Sequence, residues 1–103
     1  MYRGSTPKYT IYLSGITLSD LTNLQITFKQ KGVIVAERSL ADMAIDPDAN
    51  SASFSLTQEE TMKLKVGMVD KQIRVMDSEG QVTLTRIFRE HVDPNIREDL
   101  ING

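Results

Sequence analysis

The chain has 103 residues, of which 40% are hydrophobic and 25% charged, a size and composition typical of a single globular domain. Twelve basic and fourteen acidic residues give a formal net charge of −2, which disfavours a general affinity for nucleic acid or anionic membranes. The absence of cysteine excludes a disulfide scaffold, a cysteine-ligated zinc site and a thiol nucleophile. No apolar run approaches the ~18 residues of a membrane-spanning helix, and the polar start is unlike a secretory signal peptide.

The first predicted elements are an arm and a strand. Residues 1–7, interrupted by glycine and proline, are expected to form a flexible arm. Residues 8–13 alternate between apolar and polar side chains, which predicts a half-buried strand with Tyr9 inward and Tyr12 on the opposite face. Residues 16–22 are expected to form a connection with one helical turn.

Residues 23–40 carry the clearest local pattern. Leu24, Ile26 and Phe28 alternate with polar residues, Gly32 supplies a turn, and a second β-rich run begins at Val33. Two such runs around a short glycine turn predict a β-hairpin.

The middle of the chain predicts a loop, a strand and a short helix. Residues 41–50 form a loop or a short edge piece, because Pro47 would interrupt a central strand. Residues 51–56 alternate again, with Phe54 inward and serines outward. Thr57 and Glu60 have the spacing of a capping box, which predicts a helix over residues 57–66 that ends at Gly67.

Residues 71–92 predict a second hairpin, whose turn lies at residues 77–80. The adjacent Ile87 and Phe88 indicate two-sided burial or a bulge. Asp93 is suited to be the N-cap of a short C-terminal helix, and Pro94 to be its first residue. This helix would carry Ile96 and Leu100.

These elements predict an all-β fold, a small antiparallel β-sandwich of about six strands similar in layout to immunoglobulin-like domains. Apolar residues on both faces, at Ile34, Met76 and Ile87, favour two packed sheets over one. The sandwich would occupy residues 8–92, followed by a tail at residues 93–103.

Three groups of residues are candidate sites of chemistry, and each has a simpler structural explanation. Residues 46–50 resemble the start of a calcium loop, but its sixth and twelfth positions are Ser51 and Thr57 instead of glycine and glutamate. Glu59 and Glu60 suit the start of a helix better than an acid/base pair. His91, the only histidine, lies near a predicted strand end, where a surface or edge position is expected. With no recognisable catalytic motif, the sequence predicts a protein that is not an enzyme and has no cofactor or metal.

Candidate contact residues lie on the last hairpin and at both ends of the chain. Lys71 and three arginines would line up across strands, either to bind an anionic partner or to protect a sheet edge; the arginines are Arg74, Arg86 and Arg89. Acidic neighbours and the lack of interleaved aromatic residues make nucleic acid the less favoured partner. The terminal contact candidates are Tyr2, Arg3, Tyr12, Ile96 and Leu100.

Four short motifs resemble a known group of proteins. They are Arg3-Gly4-Ser5-Thr6-Pro7, Ile26-Thr27-Phe28-Lys29-Gln30-Lys31-Gly32, Leu56-Thr57-Gln58-Glu59-Glu60-Thr61 and Gln72-Ile73-Arg74-Val75. In this combination the chain resembles small all-β proteins encoded by phages and prophages of Gram-positive bacteria. The likeness covers most of residues 3–90, and the tail from His91 onward has no counterpart.

The resemblance implies a small all-β protein with no established activity, for which the phage setting suggests a virion or assembly role. We therefore expect a non-enzymatic phage or prophage structural or interaction module. Its partners would be proteins, either other phage components or copies of itself. It would be cytoplasmic in the bacterial host during assembly and a candidate virion component. The alternative is an intracellular binding module or regulator that contacts a host protein or nucleic acid.

Overall fold

A computed structural model describes residues 1–102 and shows an antiparallel β-sandwich. Within these residues lie eight strands and one α-helix: β1 (Lys8–Tyr12), β2 (Leu21–Gln30), β3 (Val33–Ser39), β4 (Ala44–Asp46), β5 (Ser51–Ser55), α1 (Gln58–Met62), β6 (Gly67–Asp77), β7 (Val82–Leu84) and β8 (Phe88–Val92). Single 3-10 turns occupy Leu18–Asp20 and Leu40–Asp42. The predicted fold class is confirmed, although the strands are more numerous than the six expected.

The two sheets differ in size. The smaller has the order β1-β5-β4, and the larger has the order β3-β2-β6-β7, with β8 also paired to β6. Every pair of strands is antiparallel. The strands with a single neighbour lie at the sides of the sandwich; they are β1, β3, β4, β7 and β8.

The core lies between the inner faces of the two sheets. Alternation along β2 buries Leu24, Ile26 and Phe28, as the sequence predicts. Phe28 meets Tyr9 of β1 and Phe54 of β5, with ring centroids 5.4 Å from Tyr9 and 6.2 Å from Phe54. These aromatic contacts join the sheets across the middle of the sandwich.

The β2–β3 hairpin forms around Lys31 and Gly32. Both residues have positive φ angles, +50° and +80°, which is typical of a two-residue type I′ turn. Glycine adopts this conformation at no steric cost, so the predicted role of Gly32 is confirmed. A bulge near Phe28 leaves Val35 without a partner residue in β2.

The capping box of α1 is confirmed, but the helix is shorter than predicted. The Glu60 amide donates to Thr57 Oγ1 at 3.1 Å, and the Thr57 amide donates to a Glu60 carboxylate oxygen at 2.9 Å. The helix ends at Met62 because the buried Gln30 side chain binds both backbone groups of Lys65, each at 2.8 Å. Gly67 consequently begins β6 and does not cap the helix.

The prediction of one continuous strand after residue 80 is wrong. β7 pairs with residues 74–76 of β6, whereas β8 pairs with residues 67–71, and residues 85–87 separate them. Thr85 causes the break, because its hydroxyl accepts a hydrogen bond from the Ile73 amide and its own amide donates to the Ile73 carbonyl. Of the two alternatives expected at Ile87 and Phe88, two-sided burial is wrong, since they are 56% and 37% exposed. The irregularity there is the interruption at residues 85–87.

The two termini lie against each other on the sandwich. The Met1 amine donates to the His91 carbonyl at 3.0 Å, and the Arg3 amide donates to the Asp93 carbonyl at 3.1 Å. The Arg3 side chain binds the Leu64 carbonyl at 2.7 Å and Glu98 at 2.7 Å. The segment predicted as a flexible arm is therefore held by hydrogen bonds and ion pairs.

The predicted C-terminal helix does not form within residues 93–102. Asp93 instead pairs with the N-terminal arm, where its carbonyl accepts from the Arg3 amide and not from the first turn of a helix. Ile96 is fully exposed and Leu100 is 37% exposed. The described part of the tail instead continues past Arg3 to α1, where the Ile101 amide binds Gln58 at 2.9 Å.

Candidate functional site

The basic residues predicted to line up across the last hairpin do not share one face. Lys71 points into the sandwich, where its ammonium lies 3.1 Å from Glu90 and 5.1 Å from the centre of the Tyr9 ring. Arg89 lies on the outer face and pairs with Asp70 at 3.1 Å. The register explains the difference, because neighbouring residues of a strand point to opposite faces.

The other two arginines are separated in the same way. Arg74 lies on the outer face and its guanidinium binds the Gln25 side chain. Arg86 lies against the inner-face residue Phe88, with its guanidinium carbon 4.8 Å from the ring centre. The four basic residues therefore do not form the expected continuous row. They are isolated cations, and carboxylates neutralise two of them, Lys71 and Arg89.

An apolar patch does occupy the outer face of the larger sheet. Met76, Val82 and Leu84 are 39%, 51% and 53% exposed, and the register places all three on the side away from the core. Beside them, a shallow cavity of about 160 Å³ is bordered by polar side chains of β2 and by Arg74. We call Met76, Val82 and Leu84 the β6–β7 patch.

The terminal contact candidates do not form one surface. Tyr2, 62% exposed, lies in a bridge with Asp93, whereas Tyr12, 72% exposed, lies at the far end of β1. The Arg3 side chain is bonded to the Leu64 carbonyl and to Glu98, and holds the arm against the sandwich. The exposed tail residue Ile96 lies beyond the Asp93 bridge.

Glu90 is the centre of a partly buried polar network. Its carboxylate accepts hydrogen bonds from the Tyr9 hydroxyl at 2.7 Å and from Lys71 at 3.1 Å, and lies 3.5 Å from the Met1 amine. Burial raises the pKa of Glu90, but the hydrogen bonds and the neighbouring cations outweigh it and leave the pKa lowered. Burial and the same carboxylate raise the pKa of Tyr9. The network joins β1, β6 and β8.

In the calcium-like loop, residues 46–50, polar side chains form hydrogen bonds with backbone groups. The Asn50 amide donates to the carbonyls of Leu13 and Ile16 at 3.1 and 2.8 Å, and its oxygen accepts from the Leu18 amide at 2.9 Å. Asp46 accepts from the Ala49 amide at 3.3 Å. Within residues 1–102, no three histidine or acidic side chains are grouped as metal ligands.

The side chain of His91 is 56% exposed and its Nε2 lies 3.5 Å from Asp93. This position on the outer face of β8 is the surface location that the sequence predicts. Within the described residues, no helix is both long enough and apolar enough to cross a membrane.

A second surface was missed by the sequence reasoning. Three lysines and the start of β3 surround a cavity of about 290 Å³. We call this the lysine groove; its exposed residues are Lys31, Val33, Ile34, Lys63 and Lys65. Lys31 is separated from Lys63 by more than thirty residues, so only the fold brings these charges together.

Comparison with known proteins supports the fold. No family model matches the chain, and no curated protein matches it. Among solved structures, the chain is similar to the crystal structure of CopC from Methylosinus trichosporium OB3b, with a TM-score of 0.59 and 17% sequence identity over 93% of this chain and 85% of that one. At this identity the similarity shows a shared fold.

Proposed function

We propose that this protein is a non-enzymatic phage or prophage module that binds other proteins as a virion-associated or assembly component. The observation that carries the proposal is the β6–β7 patch. Three apolar side chains on one outer sheet face leave a hydrophobic surface that a protein partner would remove from water. The nearby Arg74 adds the mixed apolar and cationic character that is common in protein interfaces.

The phage setting is supported by the four sequence motifs. The module would be cytoplasmic in the bacterial host during assembly, and in the virion afterwards if it is a structural component. The polar network around Glu90 and the hydrogen bonds of Asn50 account for groups that would otherwise be candidates for chemistry. These contacts favour a binding role over an enzymatic one.

The first experiment is quantitative mass spectrometry of purified particles after induction of the source phage or prophage, with the cytosol as control. Under the proposal, the wild-type protein is present at a constant copy number per particle. Leu84→Glu should abolish incorporation, because it places a charge in the β6–β7 patch. Thr83→Glu is the matched control, since Thr83 is an exposed residue of the same strand that faces the other way.

Loss of incorporation in both variants would argue against a specific role for the β6–β7 patch. Absence of the wild-type protein from particles, together with its presence in the cytosol, would exclude a virion component. That result would favour an assembly factor or the alternative, a module directed at a host protein or nucleic acid.

A further inference from the structure

The start of β3 is an open apolar sheet edge. Val33 and Ile34 are 63% and 54% exposed, and β3 pairs with β2 on one side only. Residues 33–35 make no backbone hydrogen bond outside this pairing with any described residue, and Val35 has no partner in β2. An exposed edge rich in β-branched residues is a template for pairing with another strand.

The same edge carries opposite charges at its two ends. Near its start lie the three lysines of the lysine groove, none of which has a carboxylate within 4.0 Å among residues 1–102. Toward its end lie the exposed carboxylates of Glu37 and Asp42. These two accept hydrogen bonds from Thr27 and Ser39 and are likewise without an ion pair in that part of the chain.

We propose that two copies of this protein pair through β3 in antiparallel orientation and form a symmetric dimer. Antiparallel pairing brings the lysine end of one strand to the acidic end of the other, and the two-fold symmetry repeats this match. The exposed Val33 and Ile34 of each copy would be covered at the same time. A lysine on an edge commonly discourages pairing, but here the arrangement sets it opposite carboxylates.

A second copy fits this edge better than an unrelated acidic segment, because the chain itself provides the complementary charges in the required order. The proposal adds to the proposed function by naming one protein partner, the chain itself. The β6–β7 patch lies at the opposite side of the larger sheet and stays free in the dimer. One dimer would then present two such patches to other proteins.

The test is the molar mass in solution, measured by sedimentation velocity or light scattering across micromolar to millimolar concentrations at low and high salt. We expect the mass to rise from 11.6 kDa toward twice that value with concentration, and the rise to weaken in high salt. A mass that stays monomeric throughout would overturn the proposal.

Variants locate the interface. Ile34→Lys should weaken the dimer about tenfold or more by adding a charge to the covered edge, and Ile87→Lys, at an equally exposed isoleucine outside both β3 and the β6–β7 patch, should not. Circular dichroism confirms that each variant is folded. Equal effects of the two substitutions would overturn the proposal.

A charge exchange tests the orientation. Lys31→Glu alone should weaken the dimer about tenfold, since the symmetry repeats the lost attraction. Adding Glu37→Lys to the same chain should restore dimerisation, because each copy then carries the reversed but still complementary ends. Failure to restore it would refute antiparallel pairing through β3. These results are independent of particle incorporation, so the proposed function and this interface can fail separately.

Discussion

The ion pair between Arg38 and Glu60 should stabilise the sandwich in a pH-dependent way. Arg38 Nη1 and Nη2 lie 2.8 and 2.5 Å from the two Glu60 carboxylate oxygens, and Nη2 also donates to the Ser55 carbonyl at 3.1 Å. This geometry ties β3 to the end of β5 and to α1. The paired guanidinium and the helix-capping amide together lower the pKa of Glu60 from 4.5 to about 2.

The perturbation is Glu60→Gln, which removes the charge but retains a side chain that can complete the capping box with Thr57. The full pKa shift corresponds to at most about 3 kcal/mol of stability. Both partners keep about a fifth of their side-chain surface in water, which weakens the attraction. We therefore expect Glu60→Gln to lower the free energy of unfolding by about 1–2 kcal/mol at neutral pH.

The pH dependence follows from the direction of the shift. A carboxylate with a lowered pKa in the folded state contributes its full stabilisation above about pH 4.5, and loses it as the pH falls through about 2. The difference between wild type and Glu60→Gln should therefore disappear across that range. Urea denaturation at pH 7, 4 and 2 measures it.

Glu59→Gln is the matched control, because Glu59 is an exposed residue of the same first helical turn. Glu59→Gln should lower the free energy of unfolding by only about 0.3–0.5 kcal/mol, because it removes a charge that interacts favourably with the helix dipole. Equal losses in the two variants at pH 7 would refute the argument from the ion pair. A difference between wild type and Glu60→Gln that persists at pH 2 would refute the argument from the pKa.

Three further substitutions test the core and the polar contacts. Phe28→Ala should lower the free energy of unfolding by about 3–5 kcal/mol, because Phe28 is fully buried; a loss below 1 kcal/mol in urea denaturation would contradict its central position. Asn50→Ala should lower the free energy of unfolding by about 2–4 kcal/mol, because it removes three hydrogen bonds and places alanine at a φ of +51°. The neighbouring Ala49→Gly should lower it less. Tyr9→Phe should remove the most alkaline step of the phenolate absorbance titration, since burial and Glu90 raise the pKa of Tyr9; an unchanged final step would contradict that environment.

The sequence predicted well where the local signal and the tertiary packing agree. Alternation along β2, the turn at Gly32 and the capping box at Thr57 each depend on residues only a few positions apart. The early end of α1 could not be predicted in this way. It depends on Gln30, which lies 35 positions before Lys65 and takes over its backbone hydrogen bonds.

The larger error concerned which apolar residues are buried. In the sequence, Ile34, Met76 and Ile87 favour two packed sheets, yet they are 54%, 39% and 56% exposed in the structure. The conclusion is correct for a different reason, namely that the smaller sheet covers the inner face through Leu24, Ile26 and Phe28. Alternation gives the two faces of a strand but does not say which face a second sheet covers.

The same limitation explains why the candidate surfaces were missed. An apolar face covered by the chain's own second sheet and one covered by another molecule have the same sequence pattern. Val33 and Ile34 at one side of the larger sheet, and Val82 and Leu84 at the other, are apolar residues that the folded monomer leaves in water. Their exposure costs solvation free energy that a partner would recover, so the mismatch between pattern and burial is itself the strongest argument for a binding role.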